Sequence, residues 1–182
     1  GEYLPAWHPW EDYRRSYAAR ADLGGGVVLT LIHPLDYLFG LFGQAAVTHA
    51  VVRSIPSLET TCEDWAEITL QFDSGVVGQV HLDYLQRPPV HELTVWGDAG
   101  RAVLNFGDGT LRSTAVDGRL TERRVPEGFE RNSMFLSELR HFLDCIERGA
   151  STRISLEDGA AVLRIALDAK RQARPAEIVA HG

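Results

Sequence analysis

His33 and Asp36 stand three residues apart inside the most apolar stretch of the chain, residues 24–43, GGGVVLTLIHPLDYLFGLFG. An imidazole with a carboxylate one helical turn away is a pairing suited to proton transfer, because a histidine ring ordinarily titrates near neutrality and a carboxylate can orient it. Thr30, one turn before His33, adds a hydroxyl that can hydrogen-bond toward the ring. A structural segment gains nothing from such groups, since burying a polar group without a partner costs free energy. The stretch reads in two ways: a satisfied core histidine, or a helix presenting a general acid/base to a ligand.

The neighbours of this pair set its geometry. Gly24, Gly25 and Gly26 precede the apolar run, and glycines let a backbone bend sharply and pass close to a ligand or a second helix. A phosphate cradle competes with that reading. A dinucleotide fingerprint, however, needs Gly-x-Gly-x-x-Gly between a strand and a helix, and the pattern before these glycines is helical. A helix begins near Val27. Pro34 has no N–H and suits only a first helical turn, so a kink or restart is expected beside His33. Leu35, Leu38, Phe39 and Phe42 then recur at helical spacing, and Gly43 stops the element.

Upstream, Trp7-His8-Pro9-Trp10-Glu11-Asp12-Tyr13-Arg14-Arg15-Ser16-Tyr17 predicts a further helix. Pro9, Glu11 and Asp12 suit its start, and Trp10, Tyr13 and Tyr17 would share one face. From Val47 to Val125 the period changes to two. Ala66, Ile68, Leu70 and Phe72 alternate with Glu67, Thr69 and Gln71, and turn residues at 73–75, 98–100, 108–109 and 117–118 mark hairpins. A meandering, mostly antiparallel sheet of roughly five to seven strands is expected. Two helices close the chain. Asn132–Arg148 carries Phe135, Leu139, Phe142, Leu143 and Ile146 on one side, and Leu156–Ala173 turns Val162, Ile165, Ala166 and Ala169 inward. Helices, meander, helices read as an α+β fold, an open sheet with helices packed on one face. Thr69, Gln79, His81 and Trp96 fall on exposed alternating positions, which predicts a homodimer or homotetramer through the open sheet face.

The 182 residues, 45% hydrophobic and 24% charged, suit one soluble domain. A formal net charge of -7 argues against nucleic-acid binding, which needs clustered Lys and Arg. The longest apolar run, Val27–Ile32, is too short to cross a bilayer, so no membrane partner is expected. Cys62 and Cys145 form no Cys-x-x-Cys pair; the chain reads as cytoplasmic, with Cys145 a buried thiol. His8, His49, His81 and His91 are scattered without a His-x-x-x-His spacing, so no metal site is expected. The opening Gly1-Glu2-Tyr3-Leu4-Pro5, without methionine, predicts a fragment of a longer protein.

Several patches, in order, resemble one family. Gly24-Gly25-Gly26, the apolar stretch, His33, Asp36 and Phe42-Gly43 are similar to the signature helix of the Gfo/Idh/MocA oxidoreductases, the glucose–fructose oxidoreductase and inositol dehydrogenase family. The Trp7–Arg14 segment, the Asn132-Ser133-Met134-Phe135…Glu138…His141-Phe142 helix and Ser155-Leu156-Glu157-Asp158-Gly159 also resemble its members.

The resemblance implies a dihydrodipicolinate-reductase-like C-terminal domain over residues 1–182, for substrate binding and oligomerisation. The N-terminal Rossmann domain, which binds NAD or NADP, would be absent from this chain. The chain would then act on a sugar, nucleotide-sugar or cyclitol hydroxyl only with that domain, and be inactive alone. His33 matches the family's catalytic histidine, with Thr30 and Asp36 beside it. Trp7, His8, Tyr13, Arg14 and Tyr17 are expected to line the substrate, and Gly25 and Gly26 to touch the cofactor. Thr30 stands where many members have aspartate, and Pro34 where many have glutamate. These departures leave open a catalytically inactive member that binds a ligand or acts as a scaffold.

Overall fold

Residues 1–175 are described in the structure, a computed structural model. Short 3-10 turns at Leu4–Ala6, Tyr13–Arg15, Tyr17–Ala19 and Ala21–Leu23 lead into α1 (Val27–Thr30) and α2 (His33–Phe42). Strands β1 (Ala45–Arg53), β2 (Trp65–Phe72), β3 (Val77–Asp83), β4 (Glu92–Gly97), β5 (Gly100–Asn105), β6 (Thr110–Ala115) and β7 (Leu120–Arg124) follow. Helices α3 (Arg131–Arg148) and α4 (Leu156–Gln172) and the short strand β8 (Arg174–Pro175) complete the described chain. Two compact units result: Gly1–Pro89 with the chain from Leu156, and Val90–Ser155.

In the first unit the strand order is β3-β2-β1-β8, antiparallel except for β8, which runs parallel to β1. The period-two pattern of β2 works as expected: Ala66, Ile68, Leu70 and Phe72 are buried, while Glu67, Thr69 and Gln71 are not. Helix α4 packs on β1 and meets α1 and α2, burying Val162, Ile165, Ala166 and Ala169 as expected. Each Val or Ile so buried contributes ~1.5–3 kcal/mol. The fold is therefore α+β, with helices on an antiparallel sheet.

The second unit holds the meander β4-β5-β6-β7 and helix α3. Its hairpin turns lie at the Asp98-Ala99, Asp108-Gly109 and Asp117-Gly118 positions anticipated from sequence.

Two expectations need correction. Seven strands, β1–β7, occupy the span where five to seven were expected, but they do not form one sheet: among the described residues they divide, with β8, into two four-stranded sheets. The Pro88-Pro89 pair beyond β3 supplies no N–H to continue a ladder. Trp96 consequently lies in β4, in a different sheet from Thr69, Gln79 and His81. The helix expected over residues 7–17 is instead a series of 3-10 turns. The Asp12 carboxylate accepts the Arg14 N–H, and Ser16 is extended (φ −70°, ψ 154°), so local side-chain bonding and an extended residue break the helix. Trp10 is left 80% exposed, stacked on His8, and does not join a docked aromatic face.

A close backbone crossing joins these turns to α1. Gly24 ends the Ala21–Leu23 turn in the left-handed region, at φ +78°. A Cβ on Gly25 would stand 2.0 Å from the Tyr17 carbonyl oxygen, and one on Gly26, at φ +112°, 2.3 Å from Glu63 Oε1. The Ala18 carbonyl accepts the Gly26 N–H at 3.1 Å, and the Glu63 carbonyl accepts the Val27 N–H at 2.9 Å. Lys170 from α4 closes over the crossing with a 2.7 Å ion pair to Glu63. Gly24→Ala should cost about 1–2 kcal/mol, the strain of a left-handed alanine. Gly25→Ala should cost more, about 3 kcal/mol or above, because backbone atoms must move. Chemical denaturation of the two variants checks this order; the reverse order would contradict the crossing.

Asp64 anchors the loop before β2. It is fully buried, and both carboxylate oxygens accept the Ile55 N–H at 2.9 Å, with the Thr60 hydroxyl at 3.3 Å. Burial nevertheless pushes its carboxyl above the ordinary 3.8, against the pull of these hydrogen bonds. The folded chain thus holds this proton more tightly than the unfolded chain does. Stability from this group is complete below pH 3.8 and declines as the pH climbs through the raised folded value. Urea unfolding of Asp64→Asn beside the parent should show the variant gaining relative stability as the pH rises above 3.8. A constant difference over that rise would contradict the assignment.

Candidate active site

The expected catalytic residues surround a break between two helices. Helix α1 is a single turn, with the Gly26 and Val27 carbonyls accepting from Thr30 and Leu31, and Leu31 then leaves helical geometry (φ −97°, ψ 43°). Helix α2 restarts at His33, where Pro34 in its first turn needs no N–H partner. The two segments, Ala21–Thr30 and α2, bend by 48°. Gly43 ends α2 as expected, its N–H donating to Phe39.

His33 is therefore the first residue of α2, exposed at the bend. Asp36 is half-buried one turn later, and no hydrogen bond joins the two side chains among the described residues. Thr30 lies on the other side of the break. Its Oγ1 is buried without a hydrogen bond of good geometry, and so is Trp7 Nε1.

Both orphaned groups belong to residues that neighbour Tyr84, whose place in the site sequence reasoning missed. Trp7 meets the Tyr84 ring edge-on at 5.6 Å, and the Thr30 hydroxyl lies beside the phenol. Burial pushes the Tyr84 phenol well above its ordinary value, against the opposing influence of Thr30. The phenol consequently stays protonated and donates to the Ala18 carbonyl at 3.3 Å, the oxygen that also accepts from Gly26 and from the Cys62 thiol. Tyr84 thus ties Trp7, the glycine crossing and the turn before His33 into one piece. In the sequence Tyr84 continues the alternation of Val80 and Leu82, a pattern that signals core and nothing more.

The remaining expected substrate residues lie at or near the surface with separate partners. Arg14 bonds Asp12 at 2.7 Å and Glu59 at 3.2 Å, so its fork is already committed to two carboxylates. Tyr13 accepts the Glu59 N–H at 3.4 Å through its hydroxyl. His8 pairs with Glu11 at 2.5 Å, and Tyr17 is exposed. Glu63 and Lys170, 107 residues apart, carried no local sequence signal for their pairing.

Gly25 and Gly26 are buried, and the protein itself fills the space beside them. The Glu63 carboxylate, paired with Lys170 at 2.7 Å, stands over Gly26.

Comparison with known proteins agrees with this architecture. No curated protein sequence matches the chain. Among solved structures, a 3-ketoreductase, KijD10, from Actinomadura kijaniata in complex with TDP-benzene and NADP superposes with a TM-score of 0.75 at 17% identity, over 88% of this chain and 50% of that one. An oxidoreductase from Agrobacterium radiobacter in complex with NAD+, L-tartaric acid and magnesium gives 0.67 at 21% identity, over 87% of this chain and 49% of that one. D-galactose-1-dehydrogenase from Rhizobium etli gives 0.66 at 24% identity, over 96% and 50%. The chain thus spans about half the length of the solved structures it matches. The GFO/IDH/MocA C-terminal domain matches residues 2–103, across the glycine crossing, the His33 bend and the first sheet, and this chain belongs to that family.

Proposed function

We propose that the chain is the substrate and oligomerisation domain of an NAD(P)-dependent oxidoreductase acting on a sugar, nucleotide-sugar or cyclitol hydroxyl, with His33 as general acid/base. The observation that carries this reading is the placement of His33: an exposed imidazole opening α2 at a bend that the glycine crossing and Tyr84 hold rigid. The likeness to solved oxidoreductases, two of them in complex with NAD+ or NADP, supports it. A cytoplasmic location and a homodimer or homotetramer through the open sheet face belong to the same reading.

Oxidising a carbinol moves a hydride and a proton. A nicotinamide held by another domain would supply the hydride chemistry. The proton is the part left to this chain. A ring nitrogen of His33 accepts a hydrogen bond from the substrate hydroxyl and takes its proton as the carbon becomes a carbonyl; in the reverse direction the imidazolium returns it. Such positioned proton transfer is worth ~10²–10⁴ in rate. Trp7 offers an aromatic wall for the carbon skeleton of a polyhydroxylated ligand.

A ligand-binding or scaffold protein without turnover is the second reading. One observation favours it: neither Thr30 nor Asp36 bonds the His33 ring, so its orientation is not fixed from within the described residues. Turnover decides between them. The protein with its dinucleotide-binding half should reduce NAD+ or NADP+ with a member of a sugar, nucleotide-sugar and cyclitol panel. His33→Ala should lower kcat by ~10²–10⁴ while leaving cofactor affinity nearly intact. Wild-type rates in that variant would remove His33 from the mechanism, and no turnover with any panel member would favour the second reading.

A further inference from the structure

Trp10, in the first unit, is the most exposed tryptophan, tyrosine or phenylalanine among the described residues, at 80%. Its one ring contact there is His8, stacked on it with centroids 5.2 Å apart and planes 27° apart. His8 is held in turn, its Nδ1 pairing with Glu11 at 2.5 Å. The imidazole therefore backs one face of the indole and leaves the other open. An indole this exposed adds little to folding, since its apolar area stays in water. What it offers is a flat, backed stacking face.

The surroundings of the indole narrow what it takes. The polar side chains next to it along the chain are engaged with one another: His8 with Glu11, and Asp12 with the Arg14 N–H and Nε at 3.1 and 2.7 Å. A free sugar ring is held by convergent hydrogen bonds, which these groups do not offer. A protein partner anchors a tryptophan inside a wider apolar patch, whereas Glu11 and Asp12 follow Trp10 directly. A nucleobase asks for less: every base has a π face, and stacking on an aromatic side chain needs no hydrogen-bond readout. Position points the same way. Trp7, three residues before, meets Tyr84 edge-on at 5.6 Å, and Thr30, three residues before His33, lies beside that phenol.

We propose that Trp10, backed by His8, stacks the base of the substrate, which narrows the oxidoreductase reading, on which this rests, from three substrate classes to a nucleotide-sugar. Trp10 holds the part of the substrate that does not react, and proton transfer stays with His33.

The 182-residue chain tests the stack without turnover. Its four tryptophans give four indole N–H signals in a proton–nitrogen correlation spectrum, and the one missing from Trp10→Ala is Trp10. Titration with uridine monophosphate should move that signal to saturation, whereas inorganic phosphate and galactose, which lack a base, should leave it in place. Trp10→Ala should bind uridine monophosphate about 5- to 150-fold more weakly, the equivalent of losing one stacked base, and Trp10→Phe should recover most of the affinity. An unmoved Trp10 signal, an equal response to galactose, or equal affinity in the parent and Trp10→Ala would overturn the proposal. In the complete protein the loss in Trp10→Ala should fall on the KM of the nucleotide-sugar. A loss confined to the KM of NAD+ or NADP+ would give the stacked base to the cofactor and overturn the substrate assignment. Uridine monophosphate binding at Trp10 with no turnover of any panel member keeps the stack and removes the oxidoreductase reading. Turnover with a Trp10 signal that uridine monophosphate does not move does the reverse.

Discussion

The backbone passes closer to itself at Gly25 than any side chain allows, and the candidate site is built outward from that crossing. One carbonyl, Ala18, takes hydrogen bonds from the Gly26 N–H, the Cys62 thiol and the Tyr84 phenol. The Glu63 carboxylate fills the space a Gly26 side chain would need, and Lys170 neutralises it from α4. Residues from the first turns, the loop before β2, the end of β3 and the last helix therefore fix the start of α1. Because α1 is one turn long, they also fix the bend that exposes His33. The glycines leave the space that these groups fill.

That arrangement divides the chemistry sensibly. A donor that must stay fixed is best kept neutral and buried, as Tyr84 is. The proposed proton exchange needs a group at the surface of a rigid element, and His33 lies exposed at the first residue of α2. The Trp7 Nε1 group, on a residue flanking Tyr84, is buried without a hydrogen-bond partner among the described residues.

Much of this was legible in the sequence where the signal is local. The two-residue period of β2, the restart at Pro34, the stop at Gly43 and the inward stripe of α4 all follow from spacing, and each is as expected. The segment over 7–17 misled because its aromatic spacing suggests a helix, while Asp12 and Ser16 satisfy or extend the backbone locally. The split into two sheets depends on where a ladder stops, which two prolines decide and periodicity does not register. The Glu63–Lys170 pair and the triple use of the Ala18 carbonyl join residues far apart in sequence, so no motif announces them. For α3, periodicity identified the apolar stripe but not whether the fold would cover it.

The central claim is that His33 exchanges the proton when the substrate's carbon–hydrogen bond breaks. Single-turnover hydride transfer followed by stopped-flow across pH, in the complete protein and in its His33→Asn variant, tests this most directly. The expected result is an ionisation that governs the transfer rate in the parent and is missing from the variant, whose slower rate is flat with pH. An identical pH profile in both would contradict it.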